Sequence, residues 1–173
     1  MTDKVAILRR FEIFAGFSDD EIVEIAALCR EETCSEGDIL FAEGETAEKL
    51  FLFLEGKVSL ETKVQLGRSG SARRATVSVV GPSQVIGWSS LIAPHQYTST
   101  AVCLEPGRAL VLMGEDVREF IYRHPASGLL FLDAIASTIS SRLRNSTTTS
   151  PISSPSSRTS SSHLWQPSRT ICR

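Results

Sequence analysis

Apolar residues along the chain fall into two periods, and the switch between them divides the sequence. Ile7, Leu8 and Phe11 sit at helical spacing, and Ile22, Ile25, Ala26 and Cys29 continue one apolar face in "FSDDEIVEIAALC". Ser18 followed three residues on by Glu21 is a capping-box pattern for the start of that second helix. After Thr33 the period becomes two. "DILFAEGE" reads as a short strand ending at a glycine turn. In "KLFLFLEGKVSLET", Val58, Leu60 and Thr62 alternate with Lys57, Ser59 and Glu61, which predicts one wet face. The "LFLFL" half is apolar on both faces and predicts a central strand. Gly56 interrupts the run and predicts a bulge or turn.

"GRSGSARR" is expected to be a hairpin loop, and "ATVSVV" a strand closed by "GPS". "TSTAVCL" and "RALVLM" are expected to be two strands separated by a turn at "EPG". Helical spacing returns with Val117, Phe120 and Ile121 in "GEDVREFIYRHP", and Pro125 opens a last helix. Its Leu129, Leu132, Ala136, Ile139 and Leu143 follow three-four spacing, the pattern of an a/d seam. Such a seam lies either on the chain's own β-domain or against a second copy. The fold class expected is mainly β with flanking helices: an antiparallel β-roll (jelly roll) with N-terminal helices and two C-terminal helices.

Composition sharpens this only at the C-terminal end. The 173 residues are 42% hydrophobic and 22% charged, ordinary globular values for one domain plus an appendage. From Asn145 to Arg173, Ser, Thr and Pro supply 18 of 29 residues and no residue is acidic. Such a segment cannot bury enough apolar surface to offset its ordering entropy. The expected organisation is a domain over 1–144 and a disordered tail over 145–173. The tail reads as a linker, a basic arm or the product of a shifted reading frame.

A net charge of -2 points to no nucleic-acid or membrane surface on the whole chain. No apolar run is long enough to cross a bilayer and no secretory leader is evident, so a cytoplasmic protein is expected. Cys29, Cys34, Cys103 and Cys172 are too scattered for a disulfide framework, and there is no CxxC pair for zinc. They are read as core or half-buried thiols in a reducing compartment. His95, His124 and His163 suggest no catalytic constellation, so the chain is not expected to be an enzyme. "GRSGS" lacks the lysine of a phosphate loop, and Asp19, Asp20 and Glu21 suit a helix dipole better than acid/base chemistry.

The order of elements, with Gly37-Asp38, Glu43-Gly44-Glu45, Glu55-Gly56 and Gly87 at matching spacing, resembles the cyclic nucleotide-binding domain family over residues 5 to 144. That family includes the catabolite activator and protein-kinase regulatory subunits. The resemblance implies a glycine-led turn that offers backbone N–H groups to a cyclic phosphate. It also implies a Glu after that glycine for the ribose hydroxyl and an Arg eleven residues beyond it for the phosphate. By position, Gly87 is that glycine, Trp88 stands at the Glu position and Thr98 at the Arg position. Both ionic anchors are therefore absent. At ~1.5–3 kcal/mol each, their loss weakens a cyclic nucleotide about a hundredfold or more.

What remains is a candidate ligand set of Gly87, Trp88, Ser89, Ser90, Thr98, Ser99 and Thr100. Trp88 either fills the space of a ribose or stacks on a different ligand. Arg73, Arg74 and Arg108 are the cations that could reach in from neighbouring strands. His95 is expected at the surface, and Tyr97 as an added wall or an exposed aromatic. No cofactor or metal is expected beyond a cyclic nucleotide or other small anion. The functional reading is a regulatory module that senses such a ligand. The alternatives are a ligand-free protein-interaction domain and a shortened transcription regulator. A homodimer through 129–143 is open, and "NSTTTSPISSPSS" leaves no recognition helix, so DNA binding is not expected.

Overall fold

The computed structural model describes residues 2–66 and 71–147. Element order is α1 (Thr2–Leu8), a 3-10 turn (Glu12–Phe14), α2 (Asp19–Leu28), then strands β1 (Arg30–Cys34), β2 (Ile39–Phe41), β3 (Lys49–Leu66), β4 (Ser71–Val80) and β5 (Val85–Ile86). A second 3-10 turn (Trp88–Ser90), β6 (Thr100–Met113), α3 (Gly114–Arg123) and α4 (Pro125–Thr147) complete it. The six strands form an antiparallel sheet in the order β1-β6-β3-β4, with β2 also on β6 and β5 also on β3. This is the expected roll with helices on both sides of it in sequence.

β3 and β6 are the wall of the molecule, and period-two alternation divides their side chains between two cores. Leu50, Leu52, Leu110 and Leu112 face the helices, where they meet Leu8, Phe14, Phe17, Ile22, Ile25, Phe120 and Phe131. Phe51, Phe53, Ala109 and Val111 face the interior of the roll with Phe41, Val58, Leu60, Val80 and Tyr97. Even the two-residue β5 divides in this way, Val85 to the helices and Ile86 to the interior. A strand buried on both faces must read as continuously apolar, which accounts for "LFLFL". Ser59 breaks the expected wet face: it is buried, and its hydroxyl donates to Glu61 Oε1 at 3.1 Å.

"EPG" does not separate two strands. β6 runs unbroken through it, and β3 runs unbroken through Gly56. The register shifts between Phe53 and Val58, on either side of Gly56. Gly56 has φ +87°, and a Cβ there would lie 2.6 Å from the Gly107 Cα. The turn-forming residues thus make a shared bulge, because both sides of it remain paired. β1 is a strand that the pattern of "REETC" does not predict; it is polar and pairs with β6 alone. "GRSGSARR" divides: residues 67–70 lie outside the described residues, and Ser71 to Arg74 belong to β4.

The α2 capping box forms as the sequence predicts, with Ser18 and Glu21 exchanging bonds. The same Glu21 reaches the corner between α3 and α4. Ser127 Oγ donates to Glu21 at 2.8 Å, and His124 lies between Glu21 and Glu24 at 3.4 and 3.0 Å. Phe14, Phe17, Phe120 and Phe131 pack behind this corner, in stacked, tilted and edge-on pairs, at centroid distances of 5.3 to 6.0 Å. α4 extends to Thr147, past the expected boundary at 144; the rest of the tail lies outside the described residues. Its expected seam divides: Ile139 packs on the helix-side core, while Leu129, Leu132, Ala136 and Leu143 are exposed.

Replacing Gly56 by Ala forces a left-handed backbone onto an alanine and drives its Cβ into β6. The expected loss is at least about 2 kcal/mol in urea unfolding. Acid stability follows from Glu21, whose carboxyl is held below the usual range chiefly by the Ser18 N–H, then by Ser127. A depressed carboxyl stabilises the fold above the unfolded-state value of about 4.3, and this is lost as pH falls through the folded value. Glu21→Gln is therefore expected to cost stability at pH 7, with the difference from wild type shrinking below about pH 4.

Candidate functional site

Gly87 opens the Trp88–Ser90 turn in a left-handed conformation, φ 85° and ψ 15°. It sits so close to β3 that a Cβ would collide with the Lys49 carbonyl oxygen. Two constraints, a positive φ and close backbone approach, thus require glycine here. The first N–H groups of such a turn have no partner within it.

Gly87, Trp88, Ser89, Thr98 and Ser99 converge on one small cavity with Phe41, Leu60, Ile86 and Tyr97. Ser90 and Thr100 are not among its lining. The Ser90 hydroxyl is buried and donates back to the Gly87 carbonyl at 2.8 Å, closing the turn on itself. Thr100 Oγ1 accepts from the Glu43 N–H at 3.1 Å and so fastens the Glu43-Gly44-Glu45 turn to β6. Thr98 is exposed and Ser99 half-buried, at the mouth.

The cavity is about 10 Å³, at the lower limit for holding one water. What fills the roll is Tyr97 rather than Trp88. The Tyr97 ring stacks on Phe41 at 3.9 Å with an interplanar angle of 11°. Its hydroxyl accepts from the Lys49 N–H at 3.0 Å and donates to the Lys49 carbonyl at 3.1 Å. Burial pushes its ionisation upward, so it remains a neutral phenol with both bonds in place. The sequence leaves Tyr97 open between added wall and exposed aromatic, because its neighbours Phe41, Leu60 and Ile86 come from other elements.

Trp88 borders the cavity but packs against the helix-side core. The Arg142 guanidinium of α4 lies over its ring at 4.7 Å and donates to the Val85 carbonyl at 2.6 Å. Burial lowers the Arg142 ionisation to about 10, which leaves it charged at neutral pH. Arg118 of α3 donates to the Ser90 carbonyl. The turn is thus held by one cation from each C-terminal helix, and neither was singled out from the sequence.

The candidate cations from neighbouring strands do not line the cavity. Arg108 pairs with Glu55 at 2.7 Å and Glu31 at 3.1 Å on an exposed edge. Arg74 lies 3.8 Å from Glu61, and Arg73 is exposed. His95 follows a cis Ala93–Pro94 bond in a tight turn with φ 56°, and its carbonyl accepts from the Ala47 N–H at 2.8 Å. Larger clefts of about 440 and 540 Å³ flank α4 beside the first 3-10 turn; Gly87 lines neither, though Val85 and Arg142 line the first. No group of three or more metal-ligating side chains occurs among the described residues. No helix among them is long and apolar enough to cross a membrane.

Tyr97→Phe keeps the stack but leaves the Lys49 N–H without the phenol. The expected cost is about 1–2 kcal/mol in chemical unfolding, with near-wild-type circular dichroism.

The family model for the cyclic nucleotide-binding domain matches residues 31–124. A putative cyclic nucleotide-binding protein from Geobacter metallireducens is 32% identical, with a TM-score of 0.66 over 79% of this chain and 95% of that one. The N-terminal domain of a transcriptional regulator from Streptomyces coelicolor is also 32% identical, with a TM-score of 0.61 over 87% and 99%. The CRP-like cAMP-activated global transcriptional regulator of Mycobacterium tuberculosis is 28% identical over 119 residues, 69% of this chain and 51% of that protein. The chain thus spans about half the length of that curated relative.

Proposed function

Because the chain belongs to the cyclic nucleotide-binding domain family, we propose that it is a regulatory module whose altered cassette senses a nucleotide or other small anion and reports through α3 and α4. The observation that carries this reading is the double tether of the Gly87–Ser90 turn to those helices. Arg118 holds the Ser90 carbonyl, and Arg142 rests on Trp88. Entry of a ligand at Gly87 requires far more room than about 10 Å³, so the turn or the Phe41–Tyr97 pair must move. Any such movement of the turn acts on Arg118 and Arg142, and therefore on the set of α3 and α4 against the roll. A ligand that binds only the moved arrangement shifts the helices by its differential affinity.

The module proposed is 1–144 with 145–173 appended, α4 running three residues into the appended segment. Like its relatives named as regulators, it is proposed to act without catalysis. The exposed Leu129, Leu132, Ala136 and Leu143 offer α4 a seam for a second copy. Sequence-specific DNA contact is not part of this proposal.

Calorimetry with cyclic AMP, cyclic GMP and cyclic dinucleotides tests the sensing reading directly. Wild type is expected to bind cyclic AMP weakly. Trp88→Glu with Thr98→Arg restores both ionic anchors, and cyclic AMP affinity is expected to rise about tenfold or more. Unchanged affinity in a folded double variant would count against the placement of 88 and 98. For the seam, light scattering is expected to give a dimer for wild type and a monomer for Leu129→Asp, a position 70% exposed. Two monomers would reject it.

A further inference from the structure

Cys34 closes β1, and Cys103 lies in β6, yet they are not register partners: Cys34 stands opposite Gly107, and Cys103 opposite Val58. Their sulfurs are nevertheless 2.8 Å apart, with both thiols free. We propose that Cys34 and Cys103 form a thiol–disulfide site, oxidised by a low-molecular-weight disulfide, that staples the end of β1 to β6. An S–S bond is about 2.05 Å long, so the sulfurs need to close by only about 0.8 Å. The backbone is already held for this. The Gly37 N–H donates to the Cys103 carbonyl and the Cys103 N–H to the Asp38 carbonyl, both at 2.8 Å. The β1–β2 turn therefore cannot drift from β6 in the reduced protein without breaking these bonds.

The two thiols differ in the way such a site needs. Cys34 is half-buried and offers the point of entry, whereas Cys103 is 1% exposed. Burial pushes the Cys103 thiol up to about 12, and its S–H donates to the Glu105 carbonyl at 3.0 Å. Cys34 is accordingly the attacking group and Cys103 the resolving one. The Cys34 thiolate attacks one sulfur of the small disulfide and expels one small thiolate, which takes up the proton Cys34 had lost. Cys103 then attacks the Cys34 sulfur and expels the second small thiol, which leaves with the Cys103 proton. Two protein thiols are oxidised by two electrons, and one small disulfide is reduced to two thiols. Cys103 is a rare thiolate at neutral pH, but its fixed position beside Cys34 substitutes proximity for concentration.

The full-length chain carrying Cys172→Ser is incubated with oxidised glutathione and digested without reduction, and peptides are read by mass. The expected result is a loss of two protons, mapped to a Cys34–Cys103 cross-link, with buried Cys29 remaining free. Oxidation is expected to raise the melting temperature by about 10 °C, because the bond closes a long loop, and dithiothreitol is expected to reverse it. Cys103→Ser is expected to stop at a glutathione adduct on Cys34. The mapping needs no variant at 34 or 103, so it stands even if these fold poorly. A lasting adduct on Cys34 in the chain with both thiols, a cross-link to Cys29, or two free thiols after full incubation would each overturn the proposal. None of these outcomes depends on ligand binding at Gly87.

Discussion

The interaction on which the rest depends is the antiparallel pairing of β3 with β6, a single two-sided wall that serves two cores. Leucines at 50, 52, 110 and 112 bind the helices, and Phe51, Phe53 and Val111 fill the roll. A shift of one residue in this register would exchange the two sets, sending phenylalanines toward the helices and leucines inward. Neither core tolerates that exchange, because each is packed for its own ring stacks, Phe14–Phe131 outside and Phe41–Tyr97 inside. The register also places Lys49 where its carbonyl meets Gly87 and its N–H meets Tyr97. The wall therefore positions the cassette as well as the cores.

Local patterns carried the sequence reading where burial on one or two faces has a fixed period. The two-faced "LFLFL" is legible for that reason, the Ser18–Glu21 box and the break at Gly56 from local residue chemistry, and the Gly87 turn from the family resemblance. Failures have a common physical origin in partners that are distant along the chain. β1 is polar because it has one neighbour, and a polar edge strand carries no alternation to detect. "EPG" is turn chemistry used as a bulge, and only the continued pairing on both sides of it decides between the two. Ile139 falls on the seam's spacing but turns inward, since the helix-side core extends along α4 farther than a two-heptad pattern indicates.

Around Gly87, five of the seven candidate residues border one cavity and two do not. Gly87, Trp88, Ser89, Thr98 and Ser99 do share one cavity. Ser90 and Thr100 spend their hydroxyls on the Gly87 carbonyl and the Glu43 N–H, bonds that hold the turn and the neighbouring loop in shape. A small hydroxyl residue next to a pocket has these two uses, and spacing alone does not separate them. The same holds for aromatics. Trp88 stands where the resemblance places a ribose contact, yet Tyr97 supplies the interior filling because its phenol finds both a donor and an acceptor on Lys49.

Trp88 takes its meaning from Arg142. A buried guanidinium must find compensation, and here one nitrogen meets the Val85 carbonyl while Nη1 has no hydrogen-bond partner. The half-buried indole face supplies further attraction, on the order of 1 kcal/mol for a partly exposed cation–π contact. A glutamate at 88 would attract the same cation by charge. The tryptophan instead attracts it through its ring face, which places the guanidinium carbon over the indole and so ties α4 at Arg142 to the turn. Trp88 thus joins the turn to α4 through its ring and borders the small cavity at the same time. Through Arg142 the Gly87–Ser90 turn therefore has a mechanical grip on the helix that ends the described chain.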